Sequence, residues 1–355
     1  RLNKAWLDRC GCIITHSIVL IVGTSVHPIA IDLLCKSEVL QTSLVGESMS
    51  REEREAETKA LSSTRIRYLL LGVLIGLVAY SVWWYMEDQI AAQKASSYEG
   101  VTLKHSPLLA TDIAHWKDHE VLIPAGTFQM GCAWWQRGCT LEQTLHEVEL
   151  THAFYMMKGE VSQGLWKQIV GSNPSFFKDC GMDCPVEQVS WNDVIEFSNR
   201  LNESLDLESC YETNGSKVIW SKGYDCKGWR LPTEAEWEFA AKGGEDFAFA
   251  GHDDLRMVGW YLDNSAEKTY PPCKKKENGY GLCDMSGNVD EWVWDRDGVY
   301  PDSKQINPAG GEHNPNRVVR GGSFGCDAWS ARVFDRGSDF PTNRVELLGV
   351  RFVRT

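Results

Sequence analysis

Arg230-Leu-Pro-Thr-Glu-Ala-Glu-Trp-Glu-Phe-Ala-Ala241 is the stretch from which the fold can be read outward. Thr233 and, three residues on, Glu236 form a capping box, in which each side chain satisfies a backbone N–H of the other residue. Pro232 stands just before the cap and cannot extend the helix backwards. Trp237, Ala240 and Ala241 recur at helical spacing, so a short helix with these residues inward is expected. Upstream, Ser190 with Asp193 caps a second helix whose Val194, Phe197 and Leu201 share one face. Ser162 caps a third that runs to Val170. Glu120 to Gly131 is a strand-like run ending at a glycine, and Glu147-Val-Glu-Leu150 alternates charged and apolar residues as a half-buried strand does. The remainder is rich in Gly, Asn, Asp and Trp, with few long periodic segments and no internal repeat. The pattern is that of a loop-rich α+β domain held by local restraints.

The chain has 355 residues and a formal net charge of -13. That balance argues against nucleic acid as a partner, because phosphate binding draws on Lys and Arg. Fifteen Trp point to a large aromatic core or an aromatic binding face. The first Met is Met49, followed by a polar Ser-Arg-Glu-Glu-Arg-Glu. Residues 1–48 read as translated upstream sequence or a mis-assigned start, against a genuine first membrane segment. The apolar stretch there is interrupted by His16, His27, Pro28 and Asp32. Residues 49–67 then form a cytoplasmic N-terminus.

Tyr68 to Met86 carries no charge, and nineteen residues of helix span roughly 28 Å, enough for a hydrocarbon core. Arg65 and Arg67 precede it, Glu87 and Asp88 follow it, and Trp83, Trp84 and Tyr85 form an interfacial belt. The positive-inside rule leaves the N-terminus in the cytoplasm and everything after residue 87 outside, in a periplasm or on a cell surface. This is a single-pass membrane protein on that reading. Gly72 and Gly76 have the GxxxG spacing through which two such helices could dimerise. Residues 87–118 form a tether, and 119–355 the exterior domain.

Nine cysteines lie beyond the helix, which suits an oxidising compartment. In order they form the couples Cys132/Cys139, Cys180/Cys184, Cys210/Cys226 and Cys273/Cys283, with Cys326 left over. Eight cysteines allow 105 connectivities; nearest-neighbour pairing is the simplest, and zinc at Cys180-Gly-Met-Asp-Cys184 is an alternative.

Six segments carry a resemblance when taken together. They are Glu160–Trp166, Cys184–Trp191, Arg230–Ala241, Tyr280-Gly-Leu-Cys-Asp-Met-Ser-Gly-Asn-Val-Asp-Glu-Trp292, Arg320-Gly-Gly-Ser323 and Gly349-Val-Arg-Phe352. In this order they resemble the formylglycine-generating enzyme, or sulfatase-modifying factor, superfamily over about residues 119–354. The resemblance implies a C-type-lectin-like fold. It also implies structural calcium, with Asn288, the Val289 backbone and Glu291 matching one loop and Asn264 part of another; oxygen ligands on a tight loop suit Ca²⁺. Asp290 stands where the family usually has Trp.

Three functions follow from the resemblance, and residues separate them. Formylglycine formation needs a pair of thiolates to hold Cu(I). Cys326 matches the first position, but the second is Ala331. On that reading Cys326 would be the copper ligand, with Ser323 and Trp292 lining the site, and the substrate an exported protein. The sulfoxide synthases need a His-x3-His-x-Glu iron motif; His115 and His119 have the spacing, but Glu120 is one residue early and there is no room for the helical domain. Retroelement-diversified binding proteins vary a C-terminal segment at adenine-rich codons within a fixed frame. Here Gly321–Phe324, Asp327, Ala328, Arg332, Arg336, Pro341–Arg344 and Leu348–Arg351 resemble such a frame. Of Gly325, Cys326, Ser330, Val333–Asp335, Gly337–Phe340 and Val345–Leu347 between them, all but Glu346 can be reached from an AAC codon. The preferred reading is therefore a recognition domain for an exterior ligand, using an exposed face around Phe324, Cys326, Trp329, Phe334, Phe340 and Leu347. The oxidase is the alternative.

Overall fold

The computed structural model describes residues 119–132, 139, 143–215, 217–311 and 314–355. The segments read above as upstream sequence, cytoplasmic start, membrane helix and tether lie outside the described residues, as do His115 and the Gly72/Gly76 pair. Among the described residues no helix is long and apolar enough to cross a membrane.

Among the described residues, short strands and three main helices are arranged as follows. β1 (Glu120–Ile123) and β2 (Gly126–Met130) replace the single run expected from Glu120 to Gly131, because Pro124 lacks the N–H a ladder needs. β3 (His146–Leu150) buries Val148 and Leu150 and leaves Glu147 and Glu149 towards solvent, as the alternation implied. β4 (Phe154–Met157) follows. Helix α1 (Gln163–Val170) starts at Ser162, whose hydroxyl accepts the Leu165 N–H at 3.1 Å, and ends at Gly171 in the left-handed region. Helix α2 (Trp191–Ser204) carries the Ser190/Asp193 capping box and buries Val194, Phe197 and Leu201. A hairpin, β5 (Glu212–Asn214) with β6 (Lys217–Ile219), leads to helix α3 (Glu234–Lys242) and the one-turn α4 (Leu255–Val258). The last third contributes β7 (Asp290–Arg296), β8 (Gln305–Ile306), β9 (Arg317–Arg320), β10 (Arg336–Asp339), β11 (Leu348–Val350) and β12 (Val353–Arg354).

These strands make four small sheets: β1-β4-β12, β10-β9-β7-β11, β2-β3-β8 and β5-β6. The second is central. β7 pairs antiparallel with β9 through a register shift between Trp292 and Arg296, and parallel with β11, Leu348 opposite Asp290. One apolar cluster packs Trp166, Trp191, Phe197, Trp292 and Phe352; another packs Trp237, Phe154, Met285 and Val318. Most of the described Trp thus serve the core.

Helix α3 departs from an amphipathic reading. Trp237, Ala240 and Ala241 are buried, and so are Glu234, Glu236 and Glu238. Each glutamate has a guanidinium: Glu236 binds Arg230 at 2.7 and 2.8 Å, Glu238 binds Arg320, and Glu234 binds Arg336. A charge can be removed from water at this depth only when such a partner is supplied. The four cysteine couples are all disulfides: Cys132–Cys139, Cys180–Cys184, Cys210–Cys226 and Cys273–Cys283. That pairing leaves no thiolates at Cys180 and Cys184 for zinc.

Candidate functional site

The C-terminal face begins where β9 ends. Gly321 and Gly322 both have positive φ, and a Cβ on Gly322 would stand 2.8 Å from the Ser330 backbone, so only glycine permits this turn. Asp290, at the start of β7, accepts the Gly322 N–H through Oδ1 at 3.0 Å. The carboxylate that replaces the expected Trp therefore fixes the turn. Ser323 Oγ lies 3.1 Å from Cys326 Sγ, and Asp290 Oδ2 lies 3.9 Å from the same sulfur. Cys326 is fully buried and its sulfur is disulfide-bonded, outside the four couples. Ala331 is buried beside Leu255, Val258 and Tyr261, so the second thiolate position is filled by a methyl group in an apolar cluster. Trp292 is buried in the core, with Nε1 donating to the Val189 carbonyl at 2.9 Å.

The expected ligand-binding residues divide. Trp329 and Phe340 are exposed, at 50% and 46%. Phe324 and Leu347 pack against Cys326 in a small apolar cluster, and Phe334 is buried with the Arg332 guanidinium 4.5 Å from its ring. These three support the face from below instead of lining it. Alternation and composition could not separate them, because the segment is neither helix nor strand over most of its length. Reading the sequence missed Phe176 and Leu262, which are exposed at 66% and 40% near this face.

The calcium expectation meets a densely bonded region. Asn288 is buried; its Oδ1 accepts the Tyr270 N–H and its Nδ2 donates to Glu160 Oε1 and to the Tyr270 carbonyl. Glu291 accepts from Arg351 at 2.8 Å and from Trp237 Nε1 at 2.7 Å. Val289 is buried in the same loop. Asn264 lies apart, its side chain closing a turn between the Tyr261 N–H and the Gly259 carbonyl. The oxygens without partners are others: Glu160 Oε2 and Asp284 Oδ1, both buried. Burial first, and then Asp284, pushes the Glu160 carboxyl well above the usual range, against the pull of Arg351. Asp284 is pushed up to about 6, also by burial first, although the Cys273 N–H bond opposes it. Three buried carboxylates thus share one guanidinium, which leaves an electrostatic deficit that a cation would correct. Among the described residues no three His, Cys, Asp or Glu side chains form a ready-made metal cluster. An ion here would draw on Glu160 and Asp284 together with neutral oxygens.

A loop-rich α+β core of small sheets, held by buried arginine–carboxylate pairs and local disulfides, defines a C-type-lectin-like domain. The model of the sulfatase-modifying factor enzyme 1-like domain matches residues 106–355, and the chain belongs to that family. It is 31% identical over 235 residues to the chaperone protein LppX of Paenibacillus barcinonensis, covering 57% of this chain and 80% of that protein. It is 33% identical over 187 residues to the formylglycine-generating enzyme of Streptomyces coelicolor, covering 47% of this chain and 51% of the enzyme. The chain thus spans about half the length of that enzyme. Among solved structures, Treponema denticola variable protein 1 superposes with a TM-score of 0.60 at 35% identity, covering 66% of this chain and 94% of that one. PvdO from Pseudomonas aeruginosa shares the fold, with a TM-score of 0.53 at 22% identity.

Proposed function

We propose that the domain is a recognition module whose ligand face is formed by the C-terminal segment, with Trp329 and Phe340 as its exposed aromatic contacts, and that it does not oxidise cysteine. The observation that carries this reading is Ala331. A linear copper site needs two thiolates, and the second position offers only a methyl group packed on Leu255 and Tyr261. Cys326, whose sulfur is already bonded, cannot supply the site alone. The likeness to a variable protein supports recognition over chemistry. In this reading residues 68–86 anchor the chain in a membrane and the domain faces outward, which suits its disulfides. A structural Ca²⁺ sits against Glu160 and Asp284, with Asn288, Val289 and Glu291 shaping the loop around it.

The test is an assay of the full chain with copper, oxygen, reductant and a Cys-x-Pro-x-Arg peptide, followed by mass spectrometry for the aldehyde. No turnover by folded, calcium-supplied protein is expected. Turnover that disappears in Cys326→Ser would overturn the reading in favour of the oxidase.

A further inference from the structure

We propose that Phe176 is a ligand contact on the recognition face, and that the face takes a basic segment of a partner protein presenting an aromatic side chain. The inference rests on the recognition reading above. Phe176 lies outside the C-terminal segment, on the loop between α1 and Pro185, and its ring is 66% exposed. An exposed aromatic ring on a firmly held backbone offers a large contact area at little cost in conformational entropy. The backbone here is held in that way. The N–H groups of Phe176 and Phe177 each donate to one oxygen of the buried Glu187 carboxylate at 2.9 Å. Buried Gln163 donates to the Phe177 carbonyl at 3.1 Å and accepts from Asn173 at 2.8 Å, and Cys180–Cys184 closes the far end of the loop. A contact so mounted loses little freedom on binding.

The loop also reaches the C-terminal segment. The Phe177 ring stands edge-on to Phe176 at 4.9 Å and edge-on to Phe324 at 5.0 Å. From a third segment, the Leu262 N–H donates to the Cys326 carbonyl at 3.0 Å, leaving the Leu262 side chain exposed. Trp329 follows three residues after Cys326, its N–H held by Asp327 at 3.0 Å. Three separate segments therefore bring exposed apolar side chains around the Phe324–Cys326 pair.

Charge indicates the partner. Asp179, Asp263 and Glu267 are exposed on these segments and Glu346 is half-exposed, against Lys178 and Lys268; Arg332, over the Trp329 ring, is offset by Asp335, and Arg344 is paired with Asp193. Glu267 is tied to the face through Ser265, whose hydroxyl accepts the Glu267 N–H and donates to the Phe324 carbonyl at 2.8 Å. An acidic rim around aromatic anchors favours an aromatic side chain flanked by Lys or Arg.

The probe is acetyl-Lys-Trp-Lys-amide, titrated against the full chain by saturation-transfer NMR, with acetyl-Glu-Trp-Glu-amide beside it. The lysine peptide is expected to bind and the glutamate peptide to bind at least tenfold more weakly. Phe176→Ala and Trp329→Ala should each weaken the lysine peptide about threefold to tenfold, the size of one aromatic contact. Leu122→Ala, an exposed position on β1, should leave it unchanged. Equal binding of both peptides would overturn the assigned partner class. Loss in Trp329→Ala with none in Phe176→Ala would overturn the role of Phe176 and leave the recognition face standing. No saturation transfer with wild type, or none altered by either variant, would remove the face as well.

Discussion

Glu187 accepts two backbone N–H bonds, yet burial outweighs them and pushes its carboxyl from 4.5 up to about 7. The folded chain therefore holds that proton more tightly than the unfolded chain does. The stabilisation from this neutral carboxyl is complete below about pH 4.5 and is lost as pH rises through about 7. Glu187→Gln removes the titration. The difference in unfolding free energy between wild type and Glu187→Gln should shift by up to about 3 kcal/mol across that window and be level above it, as denaturant titrations at a series of pH values would show. Arg351 makes the opposite case. Its guanidinium serves Glu291 and the Met157, Lys158 and Cys283 carbonyls, and both charges are out of water. Arg351→Leu would strand Glu291 and should cost about 3–5 kcal/mol in denaturant unfolding, part of which a second change, Glu291→Gln, should restore. A well-folded Arg351→Leu single variant would show that the pair is dispensable.

At the scale of elements, α3 separates what could be read from what could not. Its cap and its Trp237 face follow from local chemistry, and both appear in the structure. Its burial on every side does not follow, because that depends on Arg230, just ahead of the helix, folding back on Glu236 and on Arg320 and Arg336 arriving from β9 and β10. The same holds on the C-terminal face. The Gly-Gly-Ser turn was legible, since only glycine suits it, whereas the exposure of Trp329 against the burial of Phe334 depends on tertiary packing. The short-range cysteine couples were legible because their loops are too short for much else. Phe176 was not, because Glu187 reaches it from eleven residues away with no periodic signal. The cap itself is testable: Thr233→Ala removes the acceptor of the Glu236 N–H and should cost about 1 kcal/mol. In a domain of this size that lowers the melting temperature by about 2–4 °C. An unchanged midpoint in differential scanning calorimetry would mean that the surrounding ion pairs alone fix the helix.

At the scale of the domain, the four small sheets of the described residues cannot by themselves order so much loop, so cross-links and buried charge carry the remainder. Disulfides restrain the α1–Pro185 loop, the region bearing the β5–β6 hairpin and the segment beside Asp284. The charge account is less complete. Glu160, Asp284 and Glu291 gather around Arg351, with Lys275 acting on Asp284 as well, and one oxygen on each of the first two has no hydrogen-bond partner. If calcium completes this centre, adding it should stabilise the fold by mass action, about 2.7 kcal/mol when the free ion is a hundred times its dissociation constant. The melting temperature should rise with Ca²⁺ and fall back with chelator. Asp284→Asn should abolish that response while leaving the chelator-treated midpoint nearly unchanged or higher, because it also removes a buried charge. The response should weaken as pH drops below about 6, where a proton displaces the ion from the Asp284 carboxylate. An Asp284→Asn variant that answers calcium as wild type does would place the ion elsewhere and leave the three carboxylates to be neutralised by protons.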